Sequence, residues 1–166
     1  IIVNKEYQTN IDNIYAVGDV IGAPWLAHVS AAEGLYVAEY LCGLNPKQID
    51  YNSIPACTYS KPEVASIGAT EQTLVDSNVE FKVAKSFFIS NGKAVAVGST
   101  DGFIKILVGT KGDILGAHIV GSNATEMISE LSIIKTNNLT IENIFNSVHP
   151  HPTFSEAIFE TLLQLK

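Results

Sequence analysis

The chain has 166 residues and 17.8 kDa, with 46% hydrophobic residues and a mean hydropathy of +0.21, which is enough apolar material for a packed core and excludes a disordered chain. Its net charge is −7 and its 10 cations are all lysines; without the bidentate fork of arginine, the composition argues against a nucleic-acid partner. No apolar run approaches the roughly 20 residues needed to cross a membrane.

The chain begins Ile1-Ile2-Val3, and its only methionine is Met127. It therefore reads as part of something longer or as a processed product, and the lack of a visible signal peptide carries no information. Cys42 and Cys57 have no histidine or cysteine cluster near them. They read as small buried hydrophobes of a reducing compartment, not as a disulfide or a metal site.

Ile14-Tyr15-Ala16-Val17 is a short apolar run stopped by Gly18-Asp19. That pattern predicts a strand of a parallel sheet, buried on both faces. Asp19 then stands at the carboxyl end of the strand, where ligands bind in open α/β sheets; an ordinary turn aspartate is the plainer reading. Pro24-Trp25-Leu26 opens a helix over roughly 26–42, with Val29, Ala32, Tyr36 and Tyr40 recurring at helical spacing. Its first turns are rich in Ala and Ser, which lets another surface come close, and its leading N–H groups suit an electron-rich oxygen. Packing of a helix on a sheet explains the same residues. Gly43 and Pro46 end the helix.

Residues 45–54 are polar and hold Pro46. They read as a linker that separates an incomplete first domain, 1–50, from a second domain, 51–166. One strand and one helix cannot stand alone, because a buried parallel strand needs neighbours. Beyond the linker the texture is α+β, an antiparallel sheet with flanking helices. Strands are predicted over 54–59, 64–67 and 81–88, with a helix capped by Thr70 between the last two. Asn91-Gly92 reads as a turn and 94–97 as a short extended piece. Residues 103–108 and 114–120 form a hairpin, with Ile104, Ile106 and Val108 sharing a face. Helices follow over 124–136, from the Thr140 cap to Phe145, and over 155–165. His118 reads as a core histidine, and His28 as a residue whose backbone matters more than its ring.

His149-Pro150-His151-Pro152-Thr153-Phe154-Ser155-Glu156 places two imidazoles and a carboxylate in eight residues. Proline stiffens the backbone, so the side chains are aimed. Thr153-x-x-Glu156 is also a capping box at a helix start. A carboxylate on one nitrogen of His151 would set its tautomer and leave the other nitrogen as a base. The two readings are compatible, since a helix capped by Thr153 and Glu156 brings that carboxylate close to the imidazole. One X-Pro bond beside His151 is expected to be cis, a common geometry for aiming a side chain through a tight turn.

Three stretches together resemble the flavin disulfide reductases. Thr9-Asn10-Ile11-x-x-Ile14-Tyr15-Ala16-Val17-Gly18-Asp19-Val20, with Leu26-Ala27-His28 and Glu33-Gly34, is similar to their second FAD-binding segment. Tyr59-x-x-Pro62-Glu63-Val64-Ala65-x-Ile67-Gly68 resembles the start of their interface domain. Ile114-Leu115-Gly116-Ala117-His118-Ile119, with Glu126-Met127 and the His149–Glu156 motif, resembles the branch that oxidises dihydrolipoamide. The resemblance implies a homodimeric flavoenzyme using FAD and NAD, of which this chain is a C-terminal segment. The segment holds a strand–helix remnant of the Rossmann-like FAD domain and the dimerisation domain. It implies that Asp19 holds the ribityl chain of the flavin and that the backbone of Trp25, Leu26, Ala27 and His28 meets the flavin ring. It implies that His151 is the acid/base, paired with Glu156, and that it acts in the partner subunit's active site. Implied partners are a second copy and the lipoyl domain of a 2-oxo acid dehydrogenase complex, in a bacterial cytoplasm or a mitochondrial matrix, with no membrane. A glutathione reductase-like segment is the nearest alternative, and a non-catalytic dimerisation module is another. The chain has neither a Gly-x-Gly-x-x-Gly nor a Cys-x4-Cys, so the resemblance implies no activity for it alone. Two departures from the family pattern, Gly121-Ser122-Asn123-Ala124-Thr125-Glu126 at a helix start and Lys61 before Pro62, lie outside the implied site.

Overall fold

Alternating apolar residues build the central hairpin of the larger part of the molecule. In the computed structural model, which describes residues 1–166, β4 (Phe103–Gly109) pairs antiparallel with β5 (Ile114–Gly121). Gly112, at φ +81°, donates its N–H to the Gly109 carbonyl at 3.0 Å and closes the loop between them. To one side of the hairpin lie β2 (Glu63–Gly68) and β1 (Ala56–Thr58); to the other lies β3 (Phe81–Phe87). The result is a five-stranded antiparallel sheet in the order β1-β2-β5-β4-β3. Ile104, Ile106, Ala117 and Ile119 are buried on it. Burial of an Ile side chain contributes roughly 1.5–3 kcal/mol, so this stripe is a main support of the fold.

The helices sit where their apolar faces demand. Thr70 accepts the Thr73 N–H at 3.1 Å and caps α2 (Glu71–Asp76). After β3, Asn91 caps α3 (Gly92–Ala96) by accepting the Ala94 N–H at 3.0 Å. Here the structure corrects the sequence reading: Asn91-Gly92 starts a helix, and residues 94–96 are helical, not extended. The asparagine oxygen that suggested a turn serves equally as an N-cap. Helix α4 (Ala124–Thr136) covers β2 and β5 with Met127, Ile128, Leu131 and Ile134. No local side chain caps it. Glu63, on β2, accepts both the N–H of Thr125 at 3.0 Å and its hydroxyl at 2.8 Å. A capping box of Thr140 and Asn143 starts α5 (Ile141–Phe145). Helix α6 (Glu156–Leu162) packs on β3 and β4 through Ala157, Ile158 and Leu162, then tightens into a 3-10 turn over Leu163–Leu165.

Contacts divide the chain into two compact units, Ile1–Tyr51 and Asn52–Lys166. In the smaller one, the expected strand over 14–17 is reduced to an isolated bridge between Gln8 and Tyr15, and Ile14 is exposed. A parallel strand needs adjacent strands to satisfy its backbone, and this unit contains none. Helix α1 (Ala27–Leu41) ends as its Gly43 suggested. Leu44 N–H bonds the Glu39 carbonyl, Gly43 N–H bonds that of Tyr40, and Gly43 has φ +75°, the Schellman arrangement. Its buried stripe is Val29, Glu33 and Tyr36, so a carboxylate stands where Ala32 was expected. Cys42, expected to be buried, is exposed at the helix end, where the chain leaves the packed stripe; Cys57 is half-buried. No helix is long and apolar enough to cross a membrane.

Candidate functional site

The C-terminal motif folds as a tight loop that ends in α6. The His151–Pro152 peptide is cis, and Pro150 is not among the cis bonds. Thr153 donates its hydroxyl to the Pro150 carbonyl at 2.8 Å. Its N–H goes to Glu156 Oε2 at 2.7 Å. The expected capping box is not formed, because α6 begins at Glu156 with Ser155 at its N-cap and the Thr153 hydroxyl is taken by Pro150. The other carboxylate oxygen, Oε1, lies 2.8 Å from His151 Nδ1. An ionised carboxylate only accepts, so Nδ1 carries the proton and Nε2 is left with its lone pair. The Glu156 side chain is 20% exposed and the His151 side chain 76%. The Thr153 N–H first, and then the His151 hydrogen bond, hold the Glu156 carboxyl below the usual carboxylate range. The arrangement is an orienting carboxylate, a ring with a fixed tautomer and a free basic nitrogen facing out.

Two supports of this loop escaped sequence reasoning. Asn91, almost fully buried, donates its amide to the Thr153 carbonyl at 3.1 Å while it caps α3. An Asn-Gly pair signals a turn or a cap, but not a contact with a loop 62 residues away. His149 lies 2.8 Å through Nε2 from Glu130 of α4, its side chain is 10% exposed, and its ring tilts against Phe159. It anchors the loop to the larger unit's core. His118 is half-buried on β5, with Nε2 3.2 Å from the Ala69 carbonyl, and burial lowers its pKa.

A second cluster lies in the smaller unit. Gly18, at φ +76°, opens a 3-10 turn over Gly18–Ile21 that presents Asp19 to solvent. A Cβ at Gly18 would come 2.7 Å from Ser30 Oγ, so only glycine fits. Its N–H donates to Oε2 of the buried Glu33 at 2.6 Å, and Tyr51 donates its hydroxyl to Oε1 at 2.6 Å. Tyr51 also shares a 2.9 Å hydrogen bond with the Tyr7 hydroxyl, and burial raises the pKa of both phenols. Trp25 is 71% exposed, Leu26 is half-buried and Ala27 and His28 are exposed at the start of α1. No side chain caps that helix. An exposed carboxylate suits the hydroxyls of a polyol chain, and an uncapped helix start with small residues suits an electron-rich ring edge. These residues fit a flavin dinucleotide.

The chain is similar to known proteins along nearly its whole length. The family model of the pyridine nucleotide-disulphide oxidoreductase dimerisation domain matches residues 54–162. A dihydrolipoyl dehydrogenase of Bacillus subtilis is 44% identical over 98% of this chain and 35% of its own length. A mitochondrial dihydrolipoyl dehydrogenase of Pisum sativum is 40% identical over 98% of this chain and 32% of its own. The chain thus spans about a third of the curated relatives it matches. The crystal structure of LpdA from Mycobacterium tuberculosis superposes with a TM-score of 0.93, covering 99% of this chain and 36% of that one, at 24% identity, a likeness of fold alone.

Proposed function

We infer, since the chain belongs to the pyridine nucleotide-disulphide oxidoreductase family by way of its dimerisation domain, that it serves as the C-terminal part of a homodimeric dihydrolipoamide dehydrogenase. The enzyme oxidises dihydrolipoamide and passes the electrons through a disulfide and FAD to NAD. The observation that carries the reading is the His151–Glu156 pair, with Nδ1 bound and Nε2 open on an exposed ring.

The chemistry follows from that geometry. A thiol of pKa about 8.5 is mostly protonated at neutral pH, and the thiolate is the nucleophile in disulfide exchange. His151 Nε2 takes the proton of one dihydrolipoamide thiol as its sulfur attacks the enzyme disulfide. The second thiol then displaces the mixed disulfide, which leaves oxidised lipoamide and an enzyme dithiol. The Glu156 carboxylate steadies the imidazolium formed in between. Base catalysis of this kind contributes roughly 10²–10⁴ in rate. The Gly18–Ile21 turn and the start of α1 would hold the flavin, with Asp19 at the ribityl hydroxyls and the Trp25–His28 backbone at the ring. The chemistry FAD would supply there is two-electron transfer between the dithiol and NAD.

His151 acts in the active site of a second copy. The exposed Val148 and Ile133 line an apolar groove with Ile134, Ile144 and His149, which supports burial of this face against a like subunit. The lipoyl domain of a 2-oxo acid dehydrogenase complex delivers the substrate, in a bacterial cytoplasm or a mitochondrial matrix.

The test is turnover by the full-length protein. NADH should appear with dihydrolipoamide and NAD as substrates. A protein that reduces glutathione disulfide and ignores dihydrolipoamide would sink the reading. A sedimentation mass of one subunit would remove the homodimer.

A further inference from the structure

Glu33 is 2% exposed in the middle of α1. A buried carboxylate is expensive unless hydrogen bonds replace its water. Here two short bonds do so, and their donors are unusual for a structural pair. One is the backbone N–H of Gly18, the residue before Asp19; the other is the hydroxyl of Tyr51, itself bonded to Tyr7. Apart from Glu33, the unit buries few side chains, among them Tyr7, Val29 and Tyr36. Apolar packing alone does not hold the Gly18–Ile21 turn. Ser30 blocks Gly18 on its Cβ side, and Glu33 holds its N–H.

We propose that Glu33 is the positioning residue of the flavin-facing turn: clamped to Tyr51 by one oxygen, it fixes the Val17–Gly18 peptide, at the entry to the turn, with the other and so aims the Asp19 carboxylate at the polyol hydroxyls of the dinucleotide. The proposal rests on the reading of Asp19 as a flavin contact. Glu33 touches no ligand itself. The Tyr7–Tyr51 pair keeps its carboxylate from rotating away from Gly18.

The test uses the full-length flavoenzyme with Glu33→Ala, Glu33→Gln, Tyr51→Phe and Asp19→Ala. FAD affinity is read from flavin fluorescence on release, and flavin surroundings from visible circular dichroism. A hydrogen bond to a charged group matters enough that Glu33→Ala and Asp19→Ala should each weaken FAD binding by roughly tenfold to a hundredfold. Glu33→Gln keeps an oxygen for the Gly18 N–H and should stay within about threefold of the parent, and Tyr51→Phe should fall between, as one neutral hydrogen bond implies. The visible dichroism should change in Glu33→Ala. Lower thermal stability of Glu33→Ala with unchanged affinity and dichroism marks a merely structural carboxylate and overturns the proposal, while loss of FAD by Asp19→Ala in the same series leaves the flavin reading standing. Full FAD retention by Asp19→Ala removes the flavin reading and the proposal with it. If Glu33→Ala does not fold, Tyr51→Phe decides: weaker FAD binding supports the clamp, and parental binding with parental dichroism overturns it.

Discussion

Two glutamates in this molecule do similar bonding in opposite surroundings. Glu33 and Glu156 each accept one backbone N–H and one side-chain donor, at 2.6 and 2.6 Å in the first case and 2.7 and 2.8 Å in the second. Glu33 is sealed inside the smaller unit, and its donors are a glycine amide and a phenol. Glu156 lies beside an imidazole that faces water. The buried pair holds backbone in place, because orphaned groups there have no water to turn to. The exposed pair leaves the second nitrogen of its imidazole open to solvent, the placement a proton carrier needs. One hydrogen-bonding pattern thus serves position in one place and, on the proposed reading, chemistry in the other, with burial as the difference between them.

Substitutions should separate the two roles. The largest effect belongs to His151→Ala in the full-length enzyme. Lipoamide turnover should fall by about 10²–10⁴ with FAD retained; steady-state rates near the parent's would take His151 out of the mechanism. Next comes Glu33→Leu, which leaves the Gly18 N–H unmet and the Tyr51 hydroxyl with Tyr7 alone. At about 1–3 kcal/mol for an orphaned buried group, denaturant titration should show a clear loss of stability, and an unchanged midpoint would mean that water reaches the site. Asn91→Ala removes both the α3 cap and the support of Thr153, and should destabilise by about 0.5–2 kcal/mol in the same titration. A melting temperature equal to the parent's would contradict that double role.

The smallest effect is a pH dependence at Glu156. Its carboxyl is held below the usual range by Thr153 and His151. A depressed folded-state pKa stabilises above the unfolded value of about 4.3, and the benefit is lost as pH falls through the lower folded value. The gap in melting temperature between the parent and Glu156→Gln should therefore be open at neutral pH and close in that acid window. A gap that persists to the most acid pH would point to packing instead of charge.

The legibility of the chain follows the range of the interactions. The 103–108/114–120 hairpin, the Thr70 cap and the helix over 124–136 were readable because hydrophobic period and capping residues are local signals. The same holds for His151 and Glu156, which sit five residues apart across a stiff loop. Asn91 was misread because turns and N-caps use the same side-chain oxygen, and only the surroundings choose between them. The apolar run over 14–17 was misread because strand character depends on neighbours. Glu33 was visible only as part of a motif, since its donors lie 15 and 18 residues away.

The sequence by itself determined the order of elements, the antiparallel α+β texture of the larger unit, and the residue types of both candidate sites. Those features follow from spacing and propensity, which act over a few residues. Tertiary structure alone decided that Glu33 is buried against Gly18 and Tyr51, that Asn91 and His149 brace the loop of His151, and that Glu63 caps α4 from a neighbouring strand. Such contacts join groups far apart along the chain. They are selected by desolvation, because a polar group carried into the core must find whichever partner the fold brings within reach.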